Sequence, residues 1–243
     1  MSRSEQFLEA FAQVERHLRT NLPGSRGFTF YRLVEVAAQQ INAVRRYETD
    51  LKEFADLRNA IVHERTDGHV IAEPLERTVT QLQQIAKLVL DPPSVEKLSH
   101  RPVTSVSGKD TLFKAVTVMS RNSYSQLPVV ESSGVQGVLT SNTVVRWLGA
   151  RGEAGTASAS VTSVEEVLQA REKTETYRHL SLRSTVFDVL QAFDEEQAAG
   201  RTLSAILVSS TGRPAAPLLG IVTLSDLPVV YRMISPPSPR KPA

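Results

Sequence analysis

The chain of 243 residues is 41% apolar, 6% aromatic and 22% charged, and its 28 Lys and Arg against 26 Asp and Glu leave a net charge of +2. This length suits one or two domains of ordinary globular composition, and near charge balance without a basic tract disfavours strong DNA binding through many phosphate contacts. The absence of cysteine excludes disulfides, Cys-based zinc sites and thiol nucleophiles; no apolar run is long enough to span a bilayer and no signal-peptide core follows Met1, so a cytoplasmic protein with no DNA or membrane partner is expected.

Helical spacing fills the first 93 residues. Apolar stripes run through Phe7, Phe11, Val14 and Leu18; Phe30, Val34, Ala37, Ile41 and Val44; Leu51, Phe54, Leu57 and Ile61; and Leu75, Val79, Leu82 and Val89, which predicts a four-helix bundle. Pro74 suits the first turn of the last helix, Thr66-Asp67-Gly68 supplies the turn before it, and Asp91-Pro92-Pro93-Ser94 closes the region.

The third predicted helix ends on Arg58-Asn59-Ala60-Ile61-Val62-His63. On an ideal helix Asn59 and His63 share a face, whereas Arg58 and His63, five apart, point about 140° from each other. An Arg, four intervening residues and a His, with Asn directly after the Arg, resembles the HEPN motif, and the resemblance covers Met1 to about Leu90. It implies a helical domain that pairs about a two-fold axis. In many members it also implies metal-independent cleavage of single-stranded RNA, with His63 as base or acid, Arg58 steadying the phosphorane charge and Asn59 beside them. A structural role suits the same residues, since Arg58 and His63 near a helix carboxyl end favour the dipole and Asn59 with His63 makes a polar seam. His17, His69, His100 and His179 have no spacing that suggests a metal site, and none is expected.

Beyond Ser94 the chain repeats itself. Thr111-Leu112-Phe113-Lys114-Ala115-Val116 parallels Thr185-Val186-Phe187-Asp188-Val189-Leu190; Leu127-Pro128-Val129-Val130 parallels Ala205-Ile206-Leu207-Val208; and Gly137-Val138-Leu139-Thr140 parallels Gly220-Ile221-Val222-Thr223. Each copy reads as strand, helix, strand, turn, strand, helix. The stretch from Gly149 to Ser160, rich in Gly, Ala and Ser, links the copies, and the proline-rich end from Pro236 reads as a disordered tail.

The second copy continues Gly220-Ile221-Val222-Thr223-Leu224-Ser225-Asp226, an apolar strand that ends on two hydroxyls and a carboxylate as helical spacing begins. Unpaired N–H groups at a helix start favour phosphate, Thr223 and Ser225 add hydroxyl bonds, and an ionised Asp226 accepts from both ribose hydroxyls. Gly, two apolar residues, Ser or Thr, two residues and Asp, within such a tandem repeat, resembles the nucleotide signature of paired CBS domains over about Glu96 to Ser235. The resemblance implies an adenosine nucleotide (AMP, ADP or ATP) as a regulatory ligand rather than an obligatory cofactor. It also implies a site shared between the copies, with the Asp226 end completed by Ser125 and Gln126 of the first, and association two by two, hence a homodimer. The position matching Asp226 in the first copy is Thr143, an uncharged hydroxyl, so that site should be weaker, empty or altered.

The expected fold is therefore α+β: a HEPN-like helical bundle over residues 1–93, then a CBS pair of β-α-β-β-α units at 94–150 and 161–235, with a linker at 151–160 and a tail at 236–243. Two functions fit this order. One is a nucleotide-sensing regulator whose helical domain mediates dimerisation or partner docking; the other is a CBS-regulated HEPN-type endoribonuclease acting on single-stranded RNA.

Overall fold

A computed structural model of the chain describes residues 1–63, 65–66, 69–70, 73–98, 102–153 and 158–235, and it falls into two units: Met1–Pro93 with the chain from Arg232 onward, and Ser94–Tyr231.

The first unit is helical: α1 (Arg3–Asn21), α2 (Phe30–Ala38), α3 (Asn42–Arg46), α4 (Glu48–His63) and α5 (Glu76–Leu90), with an antiparallel pair β1 (Arg65–Thr66) and β2 (His69–Val70) before α5. Ser2 and Glu5 start α1 with a reciprocal cap, the Ser2 N–H donating to the Glu5 carboxyl at 2.6 Å and the Glu5 N–H to the Ser2 hydroxyl at 3.1 Å. Most of the predicted stripes face inward, with Phe7, Phe11, Val14 and Leu18 of α1 and Val79, Leu82 and Val89 of α5 buried, but Leu75, counted in the last stripe, caps α5 and is exposed; the Phe7 and Phe54 rings meet edge to face at 6.0 Å.

The predicted second helix is in fact two. Ile41 is extended (φ −121°, ψ 104°), and the Arg45 guanidinium donates to the carbonyls of Ala38 and Gln39 at 2.9 and 3.2 Å, which satisfies acceptors that a continuous helix would have used internally. Among the described residues of this unit five helices thus stand where four were expected. Pro74 lies just outside α5 rather than in its first turn, because Leu75 keeps an extended ψ of 145° as the N-cap. Asp67 and Gly68 of the expected turn, and the tail from Pro236, lie outside the described residues.

The second unit opens with a 3₁₀ turn (Val95–Lys97), followed by α6 (Leu112–Asn122), β3 (Gln126–Glu131), β4 (Gly134–Thr140) and α7 (Ser141–Glu153). It then runs through α8 (Val164–Leu168), β5 (Glu175–Ser181), α9 (Val186–Ala198), β6 (Thr202–Ser209), β7 (Leu218–Val222), a 3₁₀ turn (Leu224–Asp226) and α10 (Leu227–Ile234), whose last residues belong to the first unit. β3 and β4 pair antiparallel; β5 runs parallel to β6, which pairs antiparallel with β7. Among the described residues the leading strand of the first copy is reduced to a parallel bridge, Val106 with Val129, where the second copy has the seven residues of β5. The expected linker is partly helical, since α7 continues through Gly149 and Gly152 to Glu153. Buried Val144 and Trp147 anchor its earlier turns and Arg151 pairs with Glu166 at 2.9 Å, which offsets a glycine penalty of about 1 kcal/mol each. Residues 154–157 of that linker lie outside the described residues.

The copies exchange their leading segments. Ser94 caps the first 3₁₀ turn and bridges to Thr185, with the Val95 N–H donating to the Ser184 carbonyl at 2.8 Å; Ser163 caps α8 and bridges to Thr111, with the Val164 N–H donating to the Asp110 carbonyl at 2.9 Å. One core gathers Leu112, Ala115 and Met119 of α6, Leu127 and Val129 of β3, Val144 and Trp147 of α7, and Val164 and Val167 of α8. A second joins the sheets through Val135 and Val138 of β4 and Ala205 and Leu207 of β6. Gly134, at φ +111°, lets the β3–β4 turn lie against the loop before β7: a Cβ there would come within 2.3 Å of the Pro214 carbonyl oxygen.

Candidate functional site

In the second unit a cavity of about 290 Å³ is lined by Pro102, Val103, Thr104, Ser123, Tyr124, Ser125, Gln126 and Pro128 of the first copy and by Ile221, Thr223, Ser225 and Asp226 of the second. Ser125 and Gln126 of one stretch of chain and Thr223, Ser225 and Asp226 of another thus come together. The floor is made by the ends of β3 and β7. α6 delivers the Tyr124–Gln126 segment because Ser123 closes the helix in the left-handed region (φ 55°, ψ 37°), its N–H returning to the last carbonyls of α6. Among the described residues Ser123 is the single non-glycine residue with positive φ, a conformation that costs a non-glycine residue about 1 kcal/mol. The Ser125 carbonyl accepts the Ser141 N–H at 3.0 Å, which ties this rim to the start of α7.

Opposite lies the carboxyl of Asp226, buried on the 3₁₀ turn that precedes α10. Its Oδ2 accepts the Thr223 N–H at 2.7 Å and the Thr223 hydroxyl at 3.1 Å. Thr223 and Asp226 therefore form a cap across the helix start, and a ribose that takes both its bonds from Asp226 competes with Thr223 for Oδ2. Ser225 is exposed on the rim. The cavity is lined both by hydroxyl, amide and carboxyl groups and by the apolar Val103, Pro128 and Ile221, a mixture that suits a polar sugar and a flat apolar-faced base.

Pro102, Val103, Thr104 and Ser123 escaped the sequence reading. The repeat carried a signal for the first three, since they precede Val106 as the start of β5 precedes His179. Ser123, an isolated polar residue after a helix, carried none.

The other candidate group sits on α4 of the first unit. Arg58 is half-buried, and its Nη1 donates to the Oδ1 of the neighbouring exposed Asn59 at 3.3 Å. His63 is the last residue of α4, and its side chain lies outside the described residues.

Residues 95–150 match the family model of the CBS domain, so the chain carries a CBS domain over its first copy. Crystal structures similar to the chain include Hypoxic Response Protein I with two coordinated zinc ions, at 20% identity over 56% of this chain and 97% of that one, with a TM-score of 0.41. They also include the CBS domain pair of protein MJ0100 in complex with 5′-methylthioadenosine and S-adenosyl-L-methionine, at 15% identity over 58% and 97% with a TM-score of 0.43. A CBS-domain containing protein from Agrobacterium tumefaciens aligns at 19% identity over 57% and 92%, again with a TM-score of 0.43. A comparison with curated proteins finds no match.

Proposed function

We propose that the chain is a regulatory protein that senses an adenosine nucleotide in the cavity bounded by Asp226 and Gln126. The observation that carries this reading is the convergence of the Thr223-Leu224-Ser225-Asp226 turn and the Tyr124-Ser125-Gln126 edge on one cavity from the two copies. Asp226 holds the ribose, Thr223 and Ser225 the phosphate, and the backbone of Tyr124–Gln126 meets the adenine edge. Ligand binding then bears on both copies at once, which is what a sensor requires.

The helical unit serves in this reading as the output, through dimerisation or docking. The active form is a homodimer. Phe113 and Val116, one turn apart on α6, and Val145 and Leu148, one turn apart on α7, are exposed, apolar side chains that a second copy covers in this reading. Isothermal titration of the purified chain with AMP, ADP and ATP, beside Asp226→Ala, tests the sensor. Saturable binding of at least one nucleotide, lost in the variant, is expected; no binding of any of the three sinks the reading.

A further inference from the structure

The internal repeat defines a counterpart of this cavity. Val106 and His179 are equivalent, because each is the parallel partner of a matching residue, Val129 in β3 and Leu207 in β6. Counting back along the sequence from these pairs aligns Glu175 with Pro102 and Ser204 with Gln126, while the signatures align Thr140 with Thr223 and Thr143 with Asp226. Pro102, Gln126, Thr223 and Asp226 all line the open cavity. Of these only Asp226 is itself buried, at 8% relative exposure, whereas all four equivalents are, at 9% for Glu175, 6% for Ser204, 4% for Thr140 and 0% for Thr143.

What closes the counterpart is a side chain. Glu175 Oε2 accepts the Thr143 hydroxyl and Oε1 accepts the Ser204 hydroxyl, each at 3.2 Å. The order behind Thr143 is then fixed: its N–H donates to Thr140 Oγ1 at 3.0 Å, and the Thr140 hydroxyl donates to Thr143 Oγ1 at 3.0 Å, since the Thr143 proton is committed to Glu175. A chain of donors thus ends on a carboxyl group from the other copy. In the second signature the same threonine hydroxyl ends on Asp226, which lines the cavity and faces whatever enters it. In the first, the acidic group has moved from the signature itself to the start of β5, where it uses the donors that a ligand would have used.

We propose that Glu175 is an internal plug that occupies the counterpart site, so that the chain takes one nucleotide rather than two. The stoichiometry rests on the reading of the Asp226 cavity as a nucleotide site; the plug itself does not. A ribose entering there finds no carboxylate at position 143 to accept from its hydroxyls, and the space beside Thr143 and Ser204 is already taken by the Glu175 carboxyl that they bond.

The chain has no cysteine, so one introduced thiol reports its own exposure. Ser204→Cys in the full chain should react slowly with a maleimide, and adding Glu175→Ala should raise the rate by at least about tenfold as the cavity opens. Ala205→Cys, the next residue of β6 and fully buried, should stay slow in both backgrounds and so separates opening of the site from loss of the fold. Equal Ser204→Cys rates with and without Glu175, or both thiols rising together, overturn the plug. AMP titrated into the unmutated chain should saturate at one equivalent, lost in Asp226→Ala; two equivalents overturn the plug as well. If no AMP binds, the nucleotide reading falls, and the thiol rates still decide whether Glu175 closes the counterpart.

Discussion

The two copies in the second unit share a plan and differ in where they keep their acidic groups. The second copy places Asp226 within its signature and Asp188 within a helix cap, while the first has Thr143 and Lys114 at those positions. Asp226 lines a cavity, whereas the hydroxyl of Thr143 is consumed by Glu175. Duplication supplied two similar frames, and the placement of single carboxylates made one of them open and the other closed.

The largest expected difference is in ligand binding. Asp226→Ala should weaken AMP binding by roughly 2–4 kcal/mol, about thirtyfold to a thousandfold, through loss of charge-assisted bonds. Thr143→Ala should change it less than about threefold, and calorimetry showing the reverse order would exchange the roles of the copies.

Stability sharpens the comparison next. In α9 the Glu196 carboxyl is buried and takes the Arg178 guanidinium at 2.6 Å, that of Arg201 at 2.5 Å and the Thr176 hydroxyl at 3.0 Å. Its equivalent in α6, Asn122, bonds to the Val118 carbonyl of its own helix. Arg201 first, and then Arg178 and Thr176, hold the Glu196 acid down at about 2 against an ordinary 4.5. The charged form is therefore favoured by folding. Its contribution is fully present above about pH 4.5 and disappears as pH falls towards 2. Glu196→Gln should cost roughly 1–3 kcal/mol at neutral pH and flatten the acid limb of the stability profile, while Asn122→Ala should cost under about 0.5 kcal/mol. Urea melts across this pH range check both.

Helix caps give a smaller contrast. Thr185 and Asp188 cap α9 reciprocally, the Asp188 carboxyl accepting the Thr185 N–H at 2.6 Å and its hydroxyl at 3.1 Å, whereas Thr111 accepts a single N–H, from Lys114, at 3.2 Å. Thr185→Ala should destabilise by roughly 1–2 kcal/mol and Thr111→Ala by about half that; equal costs in thermal melts would show that the box adds nothing. Smallest of all, Ser123→Gly should change stability by under about 1 kcal/mol, relief of the positive φ being set against a freer unfolded chain.

The repeat was legible because its signals are local. Thr111 and Thr185 each begin an apolar helical run, and a Gly-apolar-apolar-Thr string closes each last strand. What escaped is set by distant partners or by short departures from a period. Glu175 reads in sequence as an ordinary charged residue at a strand start, and its partner Thr143 is 32 residues away. The break at Ile41 interrupts an unbroken apolar stripe through a backbone turn that Arg45 supports from beyond it. Ser94-Val95-Glu96 and Ser163-Val164-Glu165 are a further copy of the repeat, too short to stand out until each is seen crossing to the other half.

That crossing limits how the chain can be dissected. The Val95 N–H finds its acceptor at Ser184, and Ser163 bridges to Thr111 at the start of α6. A fragment trimmed to residues 95–150 leaves Val95 without its acceptor and α6 without the strip that borders it. It also uncovers the core residues that Val164 and Val167 protect. The smallest piece that keeps its own seams closed begins no later than Ser94, whose hydroxyl also reaches the Leu182 carbonyl at 3.0 Å, and runs through both copies. Like two clasped hands, the halves each carry the other's fastening, so inheritance, truncation or recombination must move them as a pair.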